Sequence, residues 1–140
     1  MINLVSIIVP VFNEVDAIEK LVENTQNLRN LGLNFEYEII IVDDGSTDGT
    51  GATLKEIQLT NQNLHVVSLA RNYGQSTALQ AGFDHSTGDL LITMDGDLQN
   101  DPADIPKIIG TITPSRIHGI PLSVLHVSMH HSKPSIPVSD

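Results

Sequence analysis

A chain of 140 residues is the size of a single domain with one core, and its formal net charge of −10 and pI of ≈ 4.7 argue against nucleic acid or an anionic membrane surface as a partner. A phosphate-bearing ligand on so acidic a chain requires a cation, and the absence of cysteine excludes disulfides and thiolate metal sites. The start, Met1-Ile2-Asn3-Leu4, has no basic region, and Pro10, Asn13 and Glu14 break its apolar run, so neither a signal peptide nor a membrane span is expected and a cytoplasmic setting is the default.

Val5 to Val11 is a mostly apolar run with a β-branched bias, which predicts a buried strand. Ile18, Leu21, Val22, Leu28 and Leu31 then keep a helical stripe until Gly32, with Asn13 as its cap and Asp16 and Glu19 at its positive end. Glu38 to Val42 is a second buried strand, ending in Asp43-Asp44-Gly45-Ser46-Thr47-Asp48-Gly49, and Ala52 to Leu59 reads as a helix. Leu64 to Leu69 is a third strand. Arg71-Asn72-Tyr73-Gly74 turns the chain into a helix from Gln75 to about Phe83, with Gly74 serving the turn and Gly82 close helix packing. Leu90 to Met94 is the fourth strand, and Asp101-Pro102-Ala103-Asp104 starts a helix that runs through Ile109.

Strand and helix thus alternate, and the strands are too continuously apolar for a sheet wet on one side. The fold class is α/β, a Rossmann-like, mainly parallel sheet covered by helices on both faces. Polar clusters fall after the first, second and fourth strands, on the carboxyl edge where such sheets bind ligands. Beyond Gly110 the character changes: 16 of the 17 acidic residues precede it, whereas four of the six His and four of the seven Pro follow. Residues 1–109 are therefore expected to form the domain, and 110–140 an irregular tail that is non-native or truncated, consistent with a truncated or frameshifted reading frame. Val124 to Met129 can make one short strand, with nothing after it to pair. His126, His130 and His131 have the spacing of a helical metal face, but proline-rich surroundings make bystanders of them.

The densest cluster is Asp95-Gly96-Asp97-Leu98-Gln99. On an extended backbone Asp95, Asp97 and Gln99 share a face; two carboxylates that close repel unless a cation lies between them, and an all-oxygen trio suits Mg²⁺ or Mn²⁺. A simple Asp-Gly turn before a helix start remains the alternative. After the first strand, Phe12 can wall a planar base while Asn13 and Glu14 offer hydrogen bonds, or the segment simply caps a helix. Asp43-Asp44 can accept the N–H of uracil or guanine, or form an Asx turn. Arg71 can approach a diphosphate with its planar fork, or pair with an acid. Rival motifs fail: Lys55 stands where a calcium loop needs Glu, Leu54 where a dinucleotide fingerprint needs glycine, and no Gly-Lys-Ser/Thr loop exists.

Taken in order, Ile8-Val9-Pro10-Val11-Phe12-Asn13-Glu14, Val42-Asp43-Asp44-Gly45-Ser46-Thr47-Asp48, Ala70-Arg71-Asn72-Tyr73-Gly74 and Met94-Asp95-Gly96-Asp97-Leu98-Gln99 resemble family 2 glycosyltransferases of the GT-A fold. The resemblance is closest to the polyprenyl-phosphate branch that includes dolichyl-phosphate mannose synthase, and it covers the nucleotide half. It implies a nucleotide-binding set of Pro10, Val11, Phe12, Asn13, Glu14, Val42, Asp44, Arg71, Asp95, Gly96 and Asp97. Asp44 would hold the base, Asp95 would contact the donor near its ribose, and Asp97 with Gln99 and Asp95 would hold Mg²⁺ or Mn²⁺ against the diphosphate. Asp95 and Asp97 are then the catalytic pair.

The partners so implied are a UDP- or GDP-sugar donor and a lipid-phosphate or glycan acceptor, the transfer inverting the sugar's anomeric centre. Full-length relatives would work at the cytoplasmic face of the membrane. The acceptor-side residues of the family are not recognisable after Gly110, and Arg116 lies too soon after Gln99 to match its later arginine. The alternative function is therefore an inactive remnant that binds nucleotide and metal without turnover. A response-regulator-like domain ranks third, since no lysine ends a later strand.

Overall fold

The computed structural model of the chain describes residues 3–95, 102–110 and 126–128. Strands β1 (Leu4–Val11), β2 (Glu36–Asp43), β3 (Leu64–Ser68), β4 (Leu90–Thr93) and β5 (His126–Ser128) form a sheet in the order β3-β2-β1-β4-β5, with every pairing parallel. Parallel neighbours need a crossover rather than a hairpin. Helices α1 (Ile18–Gln26), α2 (Thr50–Leu59), α3 (Gln75–His85) and α4 (Asp104–Gly110) stand between successive strands. The chain builds outward from β1 to β3, and α3 then returns it past β1 to β4, so the direction of strand order reverses between β1 and β4. That reversal opens a crevice at the carboxyl ends of the two strands.

Burial of both faces explains the apolar runs Ile7–Val9 of β1 and Ile39–Val42 of β2. Val5, Ile7, Val9 and Val11, with Ile39 and Ile41, pack in one cluster with Ile18, Leu21 and Val22 of α1, Leu54 of α2 and Ile105 of α4. Ile8, Ile40 and Val42 project to the other face and pack with Ala78 of α3. Each fully buried isoleucine contributes about 1.5–3 kcal/mol relative to exposure. At Gly82 a Cβ would lie 2.4 Å from Ile8 Cγ2, which is why α3 can lie so close to the sheet.

A polar cluster fastens the connection from α3 to β4. Ser6 and Glu38 are register partners on β1 and β2. The buried Glu38 carboxylate accepts hydrogen bonds from Ser6 Oγ (2.7 Å), Thr87 N–H (2.9 Å) and Thr87 Oγ1 (3.0 Å), and Ser6 Oγ accepts one from Gly88 N–H (2.8 Å). Asp89 Oδ2 accepts from the N–H groups of Asn3 (2.9 Å) and Leu4 (3.0 Å).

Three expectations need correction. The helical stripe does not run unbroken to Leu31: α1 ends at Gln26 and a 3₁₀ turn, Asn27–Leu31, follows, closed by Gly32 in the left-handed region. The tighter turn keeps Leu28 buried but leaves Leu31 49% exposed. Asn13 does not cap α1, whose N-cap is Ala17 with no side-chain bond; its Oδ1 is taken by Thr47 instead. The short strand within Val124 to Met129 forms as β5, but its partner is β4, which precedes it. A parallel strand can pair with one that comes earlier in the chain, so β5 needs no successor. Segment 110–140 is thus not wholly irregular, and His130 and His131 lie outside the described residues.

Candidate functional site

Three loops at the carboxyl edge are bonded into one rim. After β1, Asn13 adopts a left-handed backbone (φ 52°), a conformation that asparagine tolerates better than most residues. Two bonds hold it there: Asn13 N–H donates to Ser46 Oγ and Asn13 Oδ1 accepts from Thr47 N–H, each at 2.8 Å. The neighbouring N–H groups of Glu14 and Val15 donate to Thr50 Oγ1 (2.9 Å) and Asp48 Oδ2 (3.2 Å). The Thr50 hydroxyl chiefly, with the backbone N–H groups of Thr50 and Val15, holds the Asp48 carboxyl below its ordinary pKa.

After β2, Asp44 extends the ladder by donating its N–H to Val11 O (2.9 Å). Its carboxylate is 5% exposed, and its oxygens accept from Tyr73 N–H (2.8 Å) and Gly74 N–H (3.0 Å). The loop between β3 and α3 therefore hangs from Asp44. Gly74 has φ 102° and ψ 162°, a region essentially closed to other residues. Beyond β4, Met94 N–H donates to Ile8 O (3.0 Å), which continues the β1–β4 pairing up to Asp95.

Between these loops lies a cavity of about 350 Å³ lined by Pro10 and Val11 at the end of β1, Phe12 and Glu14 just after it, Asp44 after β2, Asn72 and Gly74 before α3, Gln75 at its start, and Asp95 after β4. Glu14, Asp44 and Asp95 give it three carboxylates, and no cationic side chain stands among the described lining residues. It can accept N–H and O–H donors, but a phosphate only together with a cation. Two of the roughly four acceptor positions of Asp44 are used by backbone, which leaves capacity for a ligand donor. A larger cavity, about 610 Å³, lies at the amino edge beside Phe35, Tyr37, Asn61 and Asn63. There Gln26 Nε2 donates to Asn61 Oδ1 (3.0 Å) and Asn63 Oδ1 (2.7 Å), and Tyr37 Oη to Gln26 Oε1 (2.9 Å). Those groups satisfy one another, so size alone does not make it the ligand site.

Of the residues singled out in the sequence, Pro10, Val11, Phe12, Glu14, Asp44 and Asp95 meet at the smaller cavity. Asn13 does not line it, because its amide braces Thr47. Val42 is fully buried and packs beneath α3 with Ile8 and Ile40, so it is a core residue rather than a lining one. Arg71 is exposed, and its guanidinium carbon stands 4.8 Å from the centroid of the Tyr73 ring, a cation–π contact in place of a position on the cavity wall. Gly96, Asp97 and Gln99 lie outside the described residues. Among the described residues no three His, Asp or Glu are grouped to hold a metal ion, so Asp95 on its own does not make a cation site.

Asn72, Gly74 and Gln75 were missed as lining residues. Asn72 and Gly74 fall inside the Arg71-Asn72-Tyr73-Gly74 cluster and Gln75 follows it directly. Among the described residues no helix is long and apolar enough to cross a membrane.

Residues 6–125 match the family model described as Glycosyl transferase family 2. Among solved structures, the chain is similar to the mannosyltransferase PcManGT from Pyrobaculum calidifontis in complex with GDP-Man and Mn²⁺ (28% identity, TM-score 0.58, covering 66% of this chain and 27% of that one). It is similar to S. aureus TarS 1-349 in complex with UDP-GlcNAc (28% identity, TM-score 0.56, 66% and 26%). A third is glucosyl-3-phosphoglycerate synthase from Mycobacterium tuberculosis in complex with Mn²⁺, UDP and glucosyl-3-phosphoglycerate (26% identity, TM-score 0.58, 77% and 39%). The chain therefore spans between about a quarter and two-fifths of the length of these structures.

Proposed function

This chain belongs to glycosyl transferase family 2, and we propose that its carboxyl-edge cavity binds a nucleoside-diphosphate sugar, UDP- or GDP-linked, from which the sugar passes to an acceptor with inversion. The observation that carries this reading is the cavity at the strand-order reversal, where Asp44 and Asp95 meet beside Pro10 and Phe12. Phe12 supplies an apolar wall for the base. Asp44, its carboxylate plane fixed by the Tyr73 and Gly74 N–H groups, accepts a ring N–H, which both uracil and guanine offer. Asp95 meets the ribose or the sugar.

Asp95, with Asp97 and Gln99 from the sequence that follows it, would supply an all-oxygen donor set suited to Mg²⁺ or Mn²⁺. The excess of carboxylates at the cavity favours such an ion wherever a diphosphate enters. When bound, the ion supplies positive charge at the leaving diphosphate. The chain's own residues do the rest: they orient the nucleoside and hold the sugar carbon toward the acceptor's approach. The acceptor we infer is a polyprenyl phosphate, on the strength of the Arg71-Asn72-Tyr73-Gly74 and Asp95-x-Asp97-Leu98-Gln99 forms; as an anion it needs little help from a base.

Calorimetric titration with UDP, GDP and their sugars, with and without Mn²⁺, tests donor binding. Transfer of labelled sugar to a polyprenyl phosphate tests the acceptor. A second reading is that the chain binds donor without turnover. It is the reading to adopt if nucleotide binds and no product forms.

A further inference from the structure

Glu14 reaches the cavity wall through a backbone whose N–H groups are held by side chains more than 30 residues away. Glu14 N–H donates to Thr50 Oγ1 (2.9 Å), and Val15 N–H donates to Asp48 Oδ2 (3.2 Å). Asp48 Oδ1 accepts from both the hydroxyl (2.5 Å) and the N–H (3.0 Å) of Thr50. A carboxylate only accepts, so the single hydroxyl hydrogen of Thr50 points to Asp48 and a lone pair is left facing Glu14. Thr50 is fully buried, which prevents water from replacing it. Neither Thr50 nor Asp48 lines the cavity.

From this directed chain we infer that Thr50 and Asp48 are positioning residues for nucleotide binding: they fix the backbone at Glu14 and Val15, and through it the wall formed by Phe12 and Glu14, without touching the ligand. This rests on the donor-site reading above. It goes further by assigning the wall's geometry to a hydroxyl and a carboxylate on the neighbouring loop. The lowered pKa of Asp48 agrees with a carboxylate kept ionised by these bonds.

The test compares Thr50→Val, Thr50→Ser and Asp48→Asn in the full chain, by calorimetric titration with UDP and GDP in the presence of Mn²⁺ and by urea denaturation. Thr50→Val keeps the volume and removes the relay; it should weaken nucleotide binding about tenfold, ~1.4 kcal/mol. Thr50→Ser keeps the hydroxyl and should stay within about twofold of the parent. Asp48→Asn offers one oxygen where two were used, and should fall between them. A merely structural hydroxyl would lower the urea midpoint and leave the dissociation constant unchanged, and that result overturns the inference. So does a Thr50→Ser variant as weak as Thr50→Val. If Thr50→Val does not fold, parent-like binding by Asp48→Asn overturns it equally. If the parent binds neither nucleotide, the donor-site reading is what fails. Amide hydrogen exchange at Glu14 and Val15 then decides the positioning: about tenfold faster exchange in Asp48→Asn supports it, and unchanged exchange refutes it.

Discussion

Gly45 is the position where the rim is most sensitive to one added methyl group. Its φ is +74°, and a Cβ there would lie 2.2 Å from Arg71 C, 2.4 Å from Asn72 N and 2.6 Å from Arg71 Cα. All three are backbone atoms, so no side-chain rotation relieves the overlap. In Gly45→Ala the loop between β3 and α3 must withdraw, and with it go the bonds that Asp44 makes to Tyr73 and Gly74. A left-handed alanine costs about 1–2 kcal/mol. Losing two hydrogen bonds to a buried carboxylate adds about 3–6 kcal/mol, at roughly 1.5–3 each.

Gly32 supplies the control. Its φ is +63°, yet a Cβ there meets nothing within 4 Å, so Gly32→Ala carries only the backbone part, about 1–2 kcal/mol. Urea denaturation followed by circular dichroism should therefore separate the two variants by at least about 3 kcal/mol. Nucleotide affinity should fall only in Gly45→Ala, since Asn72 and Gly74 line the cavity. Equal destabilisation of the two variants would refute the close crossing of the loops and the dependence of the rim on it.

Asp97→Ala should abolish the Mn²⁺ dependence of UDP or GDP affinity while leaving the metal-free affinity nearly unchanged, read by calorimetry with and without EDTA. Glu38→Ala should destabilise the fold by about 2–4 kcal/mol, because the buried Ser6 hydroxyl and the Thr87 N–H lose their acceptor; urea midpoints of the parent and the variant measure it. Asp48 and Asp89 have folded pKa values below the ordinary carboxylate value, the first chiefly through the Thr50 hydroxyl and the second through the N–H groups of Asn3 and Leu4. Their contribution to stability is complete above the unfolded pKa and is lost as pH falls through the lowered folded values. The parent should therefore lose stability more steeply than an Asp48→Asn/Asp89→Asn double variant as pH falls below about 4, as followed by urea midpoints at successively lower pH.

β1 and β2 were legible because burial on both faces writes itself as Val and Ile runs, and β3 and β4 as shorter apolar stretches between polar loops; their alternation with helices made the parallel α/β class readable. β5 was legible as a short strand within Val124 to Met129, but its pairing with β4 was not, since three residues in a proline-rich segment do not encode their partner. The rim was legible only in part. Asp44 and Asp95 stood out as acids at strand ends, but Asn72, an ordinary polar loop residue, and Gln75, the first residue of α3, take their role from where Asp44 hangs the loop between β3 and α3. Val42 was grouped with its motif neighbours although the two-residue repeat already aligned it with Ile40, beneath α3. The hold of Thr50 on Glu14 joins residues 36 apart in sequence, and no local pattern encodes it.

β5 has one more effect. Its pairing with Leu91, Ile92 and Thr93 makes β4 an inner strand, flanked on both sides. A polypeptide shortened to end before residue 126 would leave that flank as an open ledge of amide donors and acceptors, a template on which strands of other molecules can add. Such a fragment would be expected to self-associate into sheets that run from one molecule to the next.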